Sequence, residues 1–313
     1  MEIKALLKLL TQIIYILCGI VSISTGIRGL KNEKAKIGTF LFWTILGVIF
    51  IFGETIPYKV TGGLLVILAI ITVTKQLHIG KFENISSQFK IAQSEKLKNK
   101  IFIPAVLIGI AAFLILQFKI GKTAIPPALG IGGGSLVALL AAAIIIKPKF
   151  SETNEDTSKL LMQIGATAIL PQLLAALGAV FTKAGVGKVI AASISSVVPT
   201  GNIFVGIVIY AIGMVIFTMI MGNAFAAFSV ITAGIGIPFI IKNGGNPAVI
   251  GALGMTAGYC GTLMTPMAAN FNIVPASILE IKDKYGIIKV QAPMALLLLV
   301  THIILMLLLF GVK

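Results

Sequence analysis

The sequence predicts an all-α, polytopic membrane protein with a re-entrant helical hairpin and a discontinuous transmembrane helix. Of its 313 residues, 58% are hydrophobic and only 11% are charged, which is about half the charged fraction of an ordinary soluble domain. Several successive apolar runs approach the roughly 20 residues that a helix needs to cross a bilayer. In the second half of the chain, glycine, proline, asparagine and threonine interrupt these runs. A bilayer tolerates the backbone groups freed in this way only where protein or a water-filled cavity covers them.

Ten apolar segments are predicted to be membrane helices, the ninth of them interrupted. The first is interpreted as a retained span, because no small-residue cleavage site follows Lys4 and Lys8. The most polar stretch, Lys75–Lys100, is expected to form a surface loop or an interfacial helix. The segments are Leu10–Ile27, Gly38–Phe52, Val60–Thr74, Ile101–Phe118, Ile125–Ile146, Leu160–Thr182, Gly201–Met221, Ala224–Ile241, Ala248–Leu279 and Pro293–Phe310.

A polar loop, Lys147–Lys159, marks a change in composition and is the predicted domain boundary. Residues 1–147 are expected to form N-terminal scaffold spans rich in Ile, Leu, Phe and Ala. Residues 148–313 are expected to form a transport half-site made of a scaffold helix, an interfacial arm, the hairpin, the broken helix and a final span. The scaffold helix lies within Gln163–Ala179, where small residues allow close helix packing, and the arm is Lys183–Thr200.

The formal net charge of +15 does not indicate nucleic-acid binding. Most lysines lie in short loops between apolar runs, as in membrane proteins generally, and no basic stripe with interleaved aromatic residues is present. Arg28 is the only arginine, which nearly excludes bidentate arginine clamping of a carboxylate or phosphate. Cys18 and Cys260 lie in separate apolar segments, so neither a disulfide framework nor a metal-binding spacing is present.

The positions of the basic residues are consistent with a re-entrant hairpin over Gly201–Ile241. Four loops hold 16 of the 25 basic residues, and such loops are typically cytoplasmic. If all four are cytoplasmic, the number of crossings between Lys159 and Lys282 must be even, which holds if the hairpin enters and leaves on the outer side. Lys4 and Lys8 would then be outside, which counts against this orientation.

Gly222-Asn223, in the motif Met221-Gly222-Asn223-Ala224-Phe225, is a turn signal and is predicted to be the hairpin tip. The alternative is two complete crossings, with Asn223 forming a hydrogen bond across a helix interface. Each arm has about 18 to 21 residues, so length does not decide between them.

A second motif, Gly258–Asn270, contains Thr265-Pro266 and predicts the interrupted helix. Proline removes a backbone donor and disfavours helix at the residue before it. In the functional interpretation, the unwound carbonyls and the half-helix ends face a ligand. The alternative is a proline-kinked helix whose threonines bond back to the backbone. Asn270 and Asn272 in the same segment favour the functional interpretation.

The absence of charged residues from much of the second half narrows the range of possible functions. From Leu160 to Leu279 there is no Asp, Glu, Arg or His, so neither an enzymatic centre nor a proton relay is expected. Asparagine and threonine oxygens and free carbonyls remain as ligands for sodium, and helix N-termini remain to attract a carboxylate.

At these two motifs the sequence resembles the ion transporter superfamily, which includes divalent-anion/sodium symporters and gluconate-type permeases. Members pair a hairpin with a Ser/Gly-Asn-Thr/Ala tip and a helix broken at a Thr-Pro…Asn segment. Gly222-Asn223-Ala224 matches the tip, and Thr265-Pro266 with Asn270 matches the break. The whole chain looks closest to a bacterial family, formerly of unknown function, whose members are described as one subunit of an oxoproline (pyroglutamate) transporter.

The chain departs from the superfamily pattern in one respect. Superfamily carriers usually contain two inverted repeats, each with a hairpin and a broken helix. Here the first half has neither motif, and Ile125-Pro126-Pro127 and Gly132-Gly133-Gly134 are the nearest candidates. Either a partner subunit or a homodimer supplies the second half-site, or the first half is degenerate.

These features lead to an expected function. The chain is expected to be an inner-membrane subunit of a secondary carrier for pyroglutamate or another small carboxylate. It would act with a second membrane subunit or as a homodimer, without an organic cofactor, and with sodium as the expected coupling ion. A non-transporting scaffold and a channel are the alternatives. The expected binding residues are Gly222, Asn223, Ala224, Gly261, Thr262, Thr265, Pro266 and Asn270, of which Asn223, Thr265 and Asn270 are the candidate sodium ligands.

Overall fold

The structure is a computed structural model that describes residues 2–82, 87–121, 123–195 and 202–311. About 81% of the chain is helical. Within the described residues, seven helices are long and apolar enough to cross a membrane. These observations confirm the predicted fold class at the level of an all-α, multi-pass membrane protein. The chain divides into two compact units, Met1–Gly165 and Ala166–Lys313.

The first unit consists of helices and one small β-hairpin. Helices α5 and α6 are joined by strands β1 and β2, which pair antiparallel and were not predicted. A 3₁₀ segment, Lys98–Phe102, precedes α5. The elements are α1 (Glu2–Gly29), α2 (Lys36–Phe52), α3 (Tyr58–Val73), α4 (Ser87–Leu97), α5 (Ile103–Gln117), β1 (Lys119–Ile120), β2 (Thr123–Ala124), α6 (Pro127–Ile146) and α7 (Phe150–Ile164).

Small residues pack the helices of the first unit closely. A Cβ added to Gly19 would lie 2.8 Å from the carbonyl oxygen of Gly47, where α1 crosses α2. A Cβ on Gly134 would lie 2.7 Å from the carbonyl oxygen of Ile108, where α6 crosses α5. Pro126 and Pro127 lie at the start of α6, where proline is compatible with a helix. Pro126, Pro127 and Gly134, which belong to the nearest candidates for a second set of site motifs, therefore lie at an ordinary helix start and in a helix contact.

A 3₁₀ segment, Gly165–Ile169, lies where the first unit ends and the second begins. It separates α7 from α8 within the span predicted over Leu160–Thr182, although the run Phe150–Phe181 as a whole is one of the seven that are long and apolar enough to cross a membrane. Gly165 has φ 55°, a conformation that glycine adopts without the steric cost of a side chain. The helices that follow are α8 (Leu170–Lys183), α9 (Val186–Ser195), α10 (Ile203–Met221), α11 (Ala224–Ile231), α12 (Pro247–Leu263), α13 (Ala269–Ile278) and α14 (Gly286–Leu308).

Helix α10 and the segment after Asn223 form an antiparallel helical hairpin. After α11 the return arm continues as a π-helix, Thr232–Ile240, and a 3₁₀ turn, Ile241–Asn243. The hydroxyl groups of Tyr210 on α10 and Thr232 on the return arm form a hydrogen bond of 2.8 Å. Both arms are long enough to cross a membrane, so the re-entrant placement stays a prediction.

The core of the second unit lies where α10, the return arm, α12 and α14 meet. Tyr210 is completely buried there and contacts Gly254 of α12. Ile207, Met214, Ile235 and Met306 are also buried in this cluster. Helix α9 packs on the return arm, because a Cβ on Gly234 would lie 2.6 Å from the carbonyl oxygen of Gly187. Residues 196–201, which end the predicted arm, lie outside the described residues.

Candidate functional site

The hairpin tip is a tight turn built from Gly222 and Asn223. Gly222 has φ 65° and donates its backbone N–H to the carbonyl oxygen of Thr218 at 2.7 Å, which ends α10. The Asn223 side-chain oxygen accepts hydrogen bonds from the backbone N–H groups of Phe225 (2.8 Å) and Ala226 (3.4 Å). Asn223 is therefore the N-cap of α11, and it satisfies backbone donors that the first helical turn leaves unpaired.

The interrupted helix is present where Thr265-Pro266 predicted it. Helix α12 ends at Leu263, and α13 begins at Ala269. The side-chain amide of Asn272 donates to the carbonyl oxygens of Thr262 (2.8 Å) and Thr265 (2.7 Å). Asn272 is completely buried, and it stabilises the break by satisfying two carbonyl groups that the end of α12 leaves unpaired.

The two motifs are in direct contact. The Thr265 hydroxyl donates to the carbonyl oxygen of Met219 at 2.9 Å, which joins the break to the last turn of α10. A Cβ added to Gly222 would lie 2.5 Å from the carbonyl oxygen of Met267. On the opposite side, a Cβ on Gly261 would lie 2.6 Å from the carbonyl oxygen of Val215. Only glycine therefore fits at the closest approaches between the hairpin and the broken helix.

A cavity of about 480 Å³ lies at this contact. It falls within the usual size range of small-molecule sites, and its lining is mainly apolar with a few polar groups, as in such sites generally. The lining residues are Leu174, Gly222, Asn223, Ala224, Phe225, Tyr259, Thr262, Leu263, Met267, Ala269, Asn270 and Phe271.

The electrostatics of the cavity come from backbone groups. Helices α11 and α13 both begin in its wall, at Ala224 and Ala269, and helix N-termini carry partial positive charge. Asn223 caps α11, whereas no side chain caps the first turn of α13. None of the lining residues is Asp, Glu, Lys, Arg or His. The cavity can therefore attract a small anion without pairing it with a cationic side chain.

The predicted site residues fall into two groups. Gly222, Asn223, Ala224, Thr262 and Asn270 line the cavity, and Asn270 is exposed. The other three residues do not line it. Gly261 packs against α10, Thr265 is buried with its hydroxyl bonded to Met219, and Pro266 is exposed in the turn.

The candidate sodium ligands divide in the same way. Asn223 and Asn270 line the cavity, but the side-chain oxygen of Asn223 already caps α11. The Thr265 hydroxyl lies behind the wall, where it also accepts a hydrogen bond from the backbone N–H of Met267 at 3.1 Å. Within the described residues, no group of three or more His, Cys, Asp or Glu side chains could hold a metal ion. None of the lining residues carries a charged side chain, so the oxygen atoms that the cavity offers are neutral amide, hydroxyl and carbonyl oxygens.

Sequence reasoning missed the aromatic and aliphatic part of the wall. The rings of Phe225 and Tyr259 pack edge to face with centroids 6.2 Å apart, and Leu174, Met267 and Phe271 complete this apolar surface. The spacing of Tyr259, Thr262 and Leu263 on one helical face was an available signal, because residues three and four apart share a face. Asn272 was noticed only as a polar residue near the break, and its two hydrogen bonds were not predicted.

The comparisons with known proteins identify a family whose description assigns no activity. The family model described as "Protein of unknown function (DUF979)" matches residues 12–310. No curated protein and no solved structure matches the chain. Because the match covers almost the whole sequence, the chain belongs to the family described as Protein of unknown function (DUF979).

Proposed function

We propose that this protein is a subunit of a secondary active transporter for a small organic anion, pyroglutamate or another small carboxylate. The observation that carries the proposal is the contact between the hairpin tip and the helix break, which forms one cavity where α11 and α13 begin. Opposed half-helix ends around a ligand site are typical of secondary transporters.

The chemistry of the cavity supports a small, weakly charged anion. The N-terminal end of α13 offers partial positive charge to a carboxylate, and the amide of Asn270 offers a hydrogen-bond donor and an acceptor. Phe225 and Tyr259 offer an aromatic surface to a ring or an aliphatic face. Pyroglutamate carries one carboxylate on a five-membered lactam and would use all three features. Its choice as the substrate rests on the sequence resemblance.

Sodium is the proposed coupling ion. From Val189 to Leu279 the only charged side chain is Lys242, so a proton passing this site has no titratable acid or histidine to carry it. Neutral amide, hydroxyl and carbonyl oxygens can coordinate sodium. The ligands would come from Asn223, Asn270 and the carbonyl groups that the helix break leaves outside a helix.

The proposed transporter combines a re-entrant hairpin, an opposing half-site and a scaffold. The hairpin would be re-entrant, with Gly222-Asn223 near the middle of an inner membrane, and a second membrane subunit or a second copy of the chain would supply the opposing half-site. The first unit would act as a scaffold, because Pro126 and Pro127 begin α6 and Gly134 packs against α5. No organic cofactor and no enzymatic step is part of the proposal.

Uptake into proteoliposomes tests the proposal. The chain would be reconstituted with the membrane proteins that co-purify with it, and uptake of radiolabelled pyroglutamate would be measured with and without an inward sodium gradient. We expect saturable uptake that depends on the gradient and is inhibited by competing small carboxylates. Flux that neither saturates nor depends on a cation gradient would indicate a channel. Uptake driven by a pH gradient in the strict absence of sodium would exclude sodium coupling.

A pair of capping asparagines gives a matched control. Asn246 caps α12 as Asn223 caps α11, with its side-chain oxygen 2.8 Å from the N–H of Ala248. Aspartate caps helices as well as asparagine does, so both Asn→Asp variants should fold. Asn246 lies roughly 20 Å along α12 from Tyr259. Asn223→Asp should reduce anion uptake at least tenfold, and Asn246→Asp should leave it unchanged. Equal uptake by both variants would support the scaffold alternative.

A further inference from the structure

A second cavity, of about 520 Å³, lies in the first unit between the C-terminal part of α1 and the N-terminal part of α7. One end is apolar and is formed by Ile20, Ile23 and Ile27 of α1. The polar groups of the lining include Arg28 and Lys31 near the end of α1, and Asn154, which is hydrogen-bonded to Ser24 beside the isoleucines. A ligand that fills this cavity would therefore need both an aliphatic part and a polar head.

Arg28 forms a fixed wall at the polar end. Its Nε and Nη2 atoms donate to the Glu155 carboxylate at 2.6 to 3.0 Å, and Nη2 also donates to the carbonyl oxygen of Lys81 at 3.1 Å. The guanidinium group lies 4.6 Å from the ring centre of Phe82, and the side chain is only 12% exposed. The arginine charge is thus matched by Glu155, and this pair holds α1 against α7. Bidentate binding of a carboxylate by arginine was expected to be nearly excluded, but Arg28 binds the Glu155 carboxylate in this way within the protein.

The remaining groups at the polar end are donors suited to a phosphate. Lys31 is exposed, and its ammonium group forms no hydrogen bond or salt bridge among the described residues, although it interacts electrostatically with the Glu155 carboxylate. The side-chain oxygen of Asn154 accepts a hydrogen bond from Ser24 at 2.8 Å, which leaves the amide N–H groups of Asn154 to donate into the cavity. The charges of Arg28 and Glu155 cancel, so the lining residues carry a net charge of one positive unit, which comes from Lys31.

The apolar end of the cavity indicates that its ligand has an aliphatic part and is not a free phosphate. Ile20 and Ile27 are 54% and 57% exposed, and residues 20, 23 and 27 follow one ridge of α1 at helical spacing. A soluble phosphate would make no contact with this ridge, whereas the acyl chain of a bound lipid would pack on it. Lysines cluster at Arg28–Lys36 and at Lys147–Lys159, as they do on the cytoplasmic side of membrane proteins. The second segment was expected to be a loop, but from Phe150 onwards it belongs to α7. Basic pockets between helices on the cytoplasmic side bind anionic headgroups.

We propose that this cavity binds one anionic phospholipid, with its phosphate at Lys31 and Asn154 and an acyl chain along Ile20, Ile23 and Ile27. The site is independent of the proposed transport cavity. Its ligand would hold α1 and α7 together at the membrane surface and supplement the Arg28–Glu155 pair.

Native mass spectrometry of the full-length protein, delipidated in detergent, tests this assignment. The protein would be titrated with phosphatidylglycerol and with phosphatidylcholine of the same acyl chains. We expect one phosphatidylglycerol to bind at least tenfold more tightly than phosphatidylcholine. Lys31→Gln should weaken phosphatidylglycerol about fivefold, and Lys31→Glu should weaken it further. Lys34→Glu is the matched control, because Lys34 is exposed and lies outside the cavity.

A second variant guards against misfolding. Ser151→Asp places a carboxylate at the polar end of the cavity but in the first turn of α7, where a negative charge stabilises a helix. It should retain the circular dichroism of the parent and still lose phosphatidylglycerol binding. Equal binding of the two lipids, or equal losses in Lys31→Glu and Lys34→Glu, would overturn the proposal. Displacement of the lipid by equimolar glycerol 3-phosphate would overturn it too, because it would identify a soluble phosphate ester as the ligand.

Discussion

The hydroxyl group of Thr265 donates a hydrogen bond to the backbone carbonyl oxygen of Met219, 2.9 Å away. Met219 lies in the last turn of α10, where carbonyl groups have no partner within the helix. The same hydroxyl accepts from the backbone N–H of Met267. One side chain therefore satisfies a backbone group of the hairpin and a backbone group of the break, and it fixes the position of one against the other.

Thr265→Val is expected to destabilise this contact. Valine has nearly the same shape but leaves a partly buried carbonyl group of Met219 and the N–H group of Met267 without this partner, which costs about 1 kcal/mol. Thr265→Ser keeps the hydroxyl and should retain most of the stability. Thermal unfolding in detergent would measure the difference. If the valine variant unfolded at the parental temperature and transported normally, the hydroxyl would have no role.

Gly222→Ala is expected to be more damaging than Gly185→Ala. Both glycines have similar positive φ values, 65° and 70°, so both variants bear a similar backbone strain of roughly 1–2 kcal/mol. A Cβ at Gly185 would meet no atom within 4 Å, whereas one at Gly222 would lie 2.5 Å from the Met267 carbonyl oxygen and 2.7 Å from Leu174. Because both variants bear a similar strain, the difference between their unfolding temperatures measures the contact between the hairpin tip and the helix break. An equal decrease in unfolding temperature in both variants would contradict a role of this contact in stability.

Asn272→Asp and Asn270→Asp are expected to separate folding from binding. The Asn272 amide donates to two carbonyl oxygens while completely buried. A carboxylate there would be buried against these oxygens, so the protein should lose stability or fail to accumulate. Asn270 is exposed and lines the cavity, so its aspartate variant should fold but bind anions poorly. Size-exclusion profiles would test the folding of both variants, and uptake assays would test anion binding. A stable Asn272→Asp protein would refute the predicted folding role of Asn272.

The sequence predicted the break and the tip because each depends on local chemistry. Pro266 lacks a backbone donor, and Gly222-Asn223 combines a residue suited to positive φ with a residue suited to capping, so both positions follow from residue type alone. Which residues line the cavity depends on which faces of α12 and α13 turn towards it, and this is set by tertiary packing. Thr265 and Gly261 were expected to face the ligand, but they pack against α10. Tyr259 and Phe225 were missed because an apolar ring gives the same signal in a core and in a binding site.

The hairpin placement can be tested by accessibility. With Cys18 and Cys260 replaced by serine, single cysteines at Asn202 and Lys242 mark the beginning of the first arm and the end of the return arm. A re-entrant hairpin requires an impermeant thiol reagent to label both from the same side of the membrane in intact cells. A helical hairpin with two complete crossings also returns to its starting side, so a cysteine at Asn223 is needed as well. Labelling of Asn223→Cys from the opposite side, and only from there, would indicate two full crossings.

The last prediction concerns the opposing half-site. Alternating access needs the ligand to be reached from each side in turn, and this chain brings together one tip and one break, both in its second unit. A half-site of this kind would leave polar backbone groups beside the cavity facing lipid, which is unfavourable in hydrocarbon. Another protein surface should therefore cover the cavity.

We expect the purified chain alone to bind no pyroglutamate in isothermal titration, with or without sodium. The chain with its co-purifying partner should bind pyroglutamate only when sodium is present. A homodimer would instead bind without a partner, and its binding would disappear on dilution to monomer. Undiminished binding by a monodisperse monomer would end the model of two half-sites.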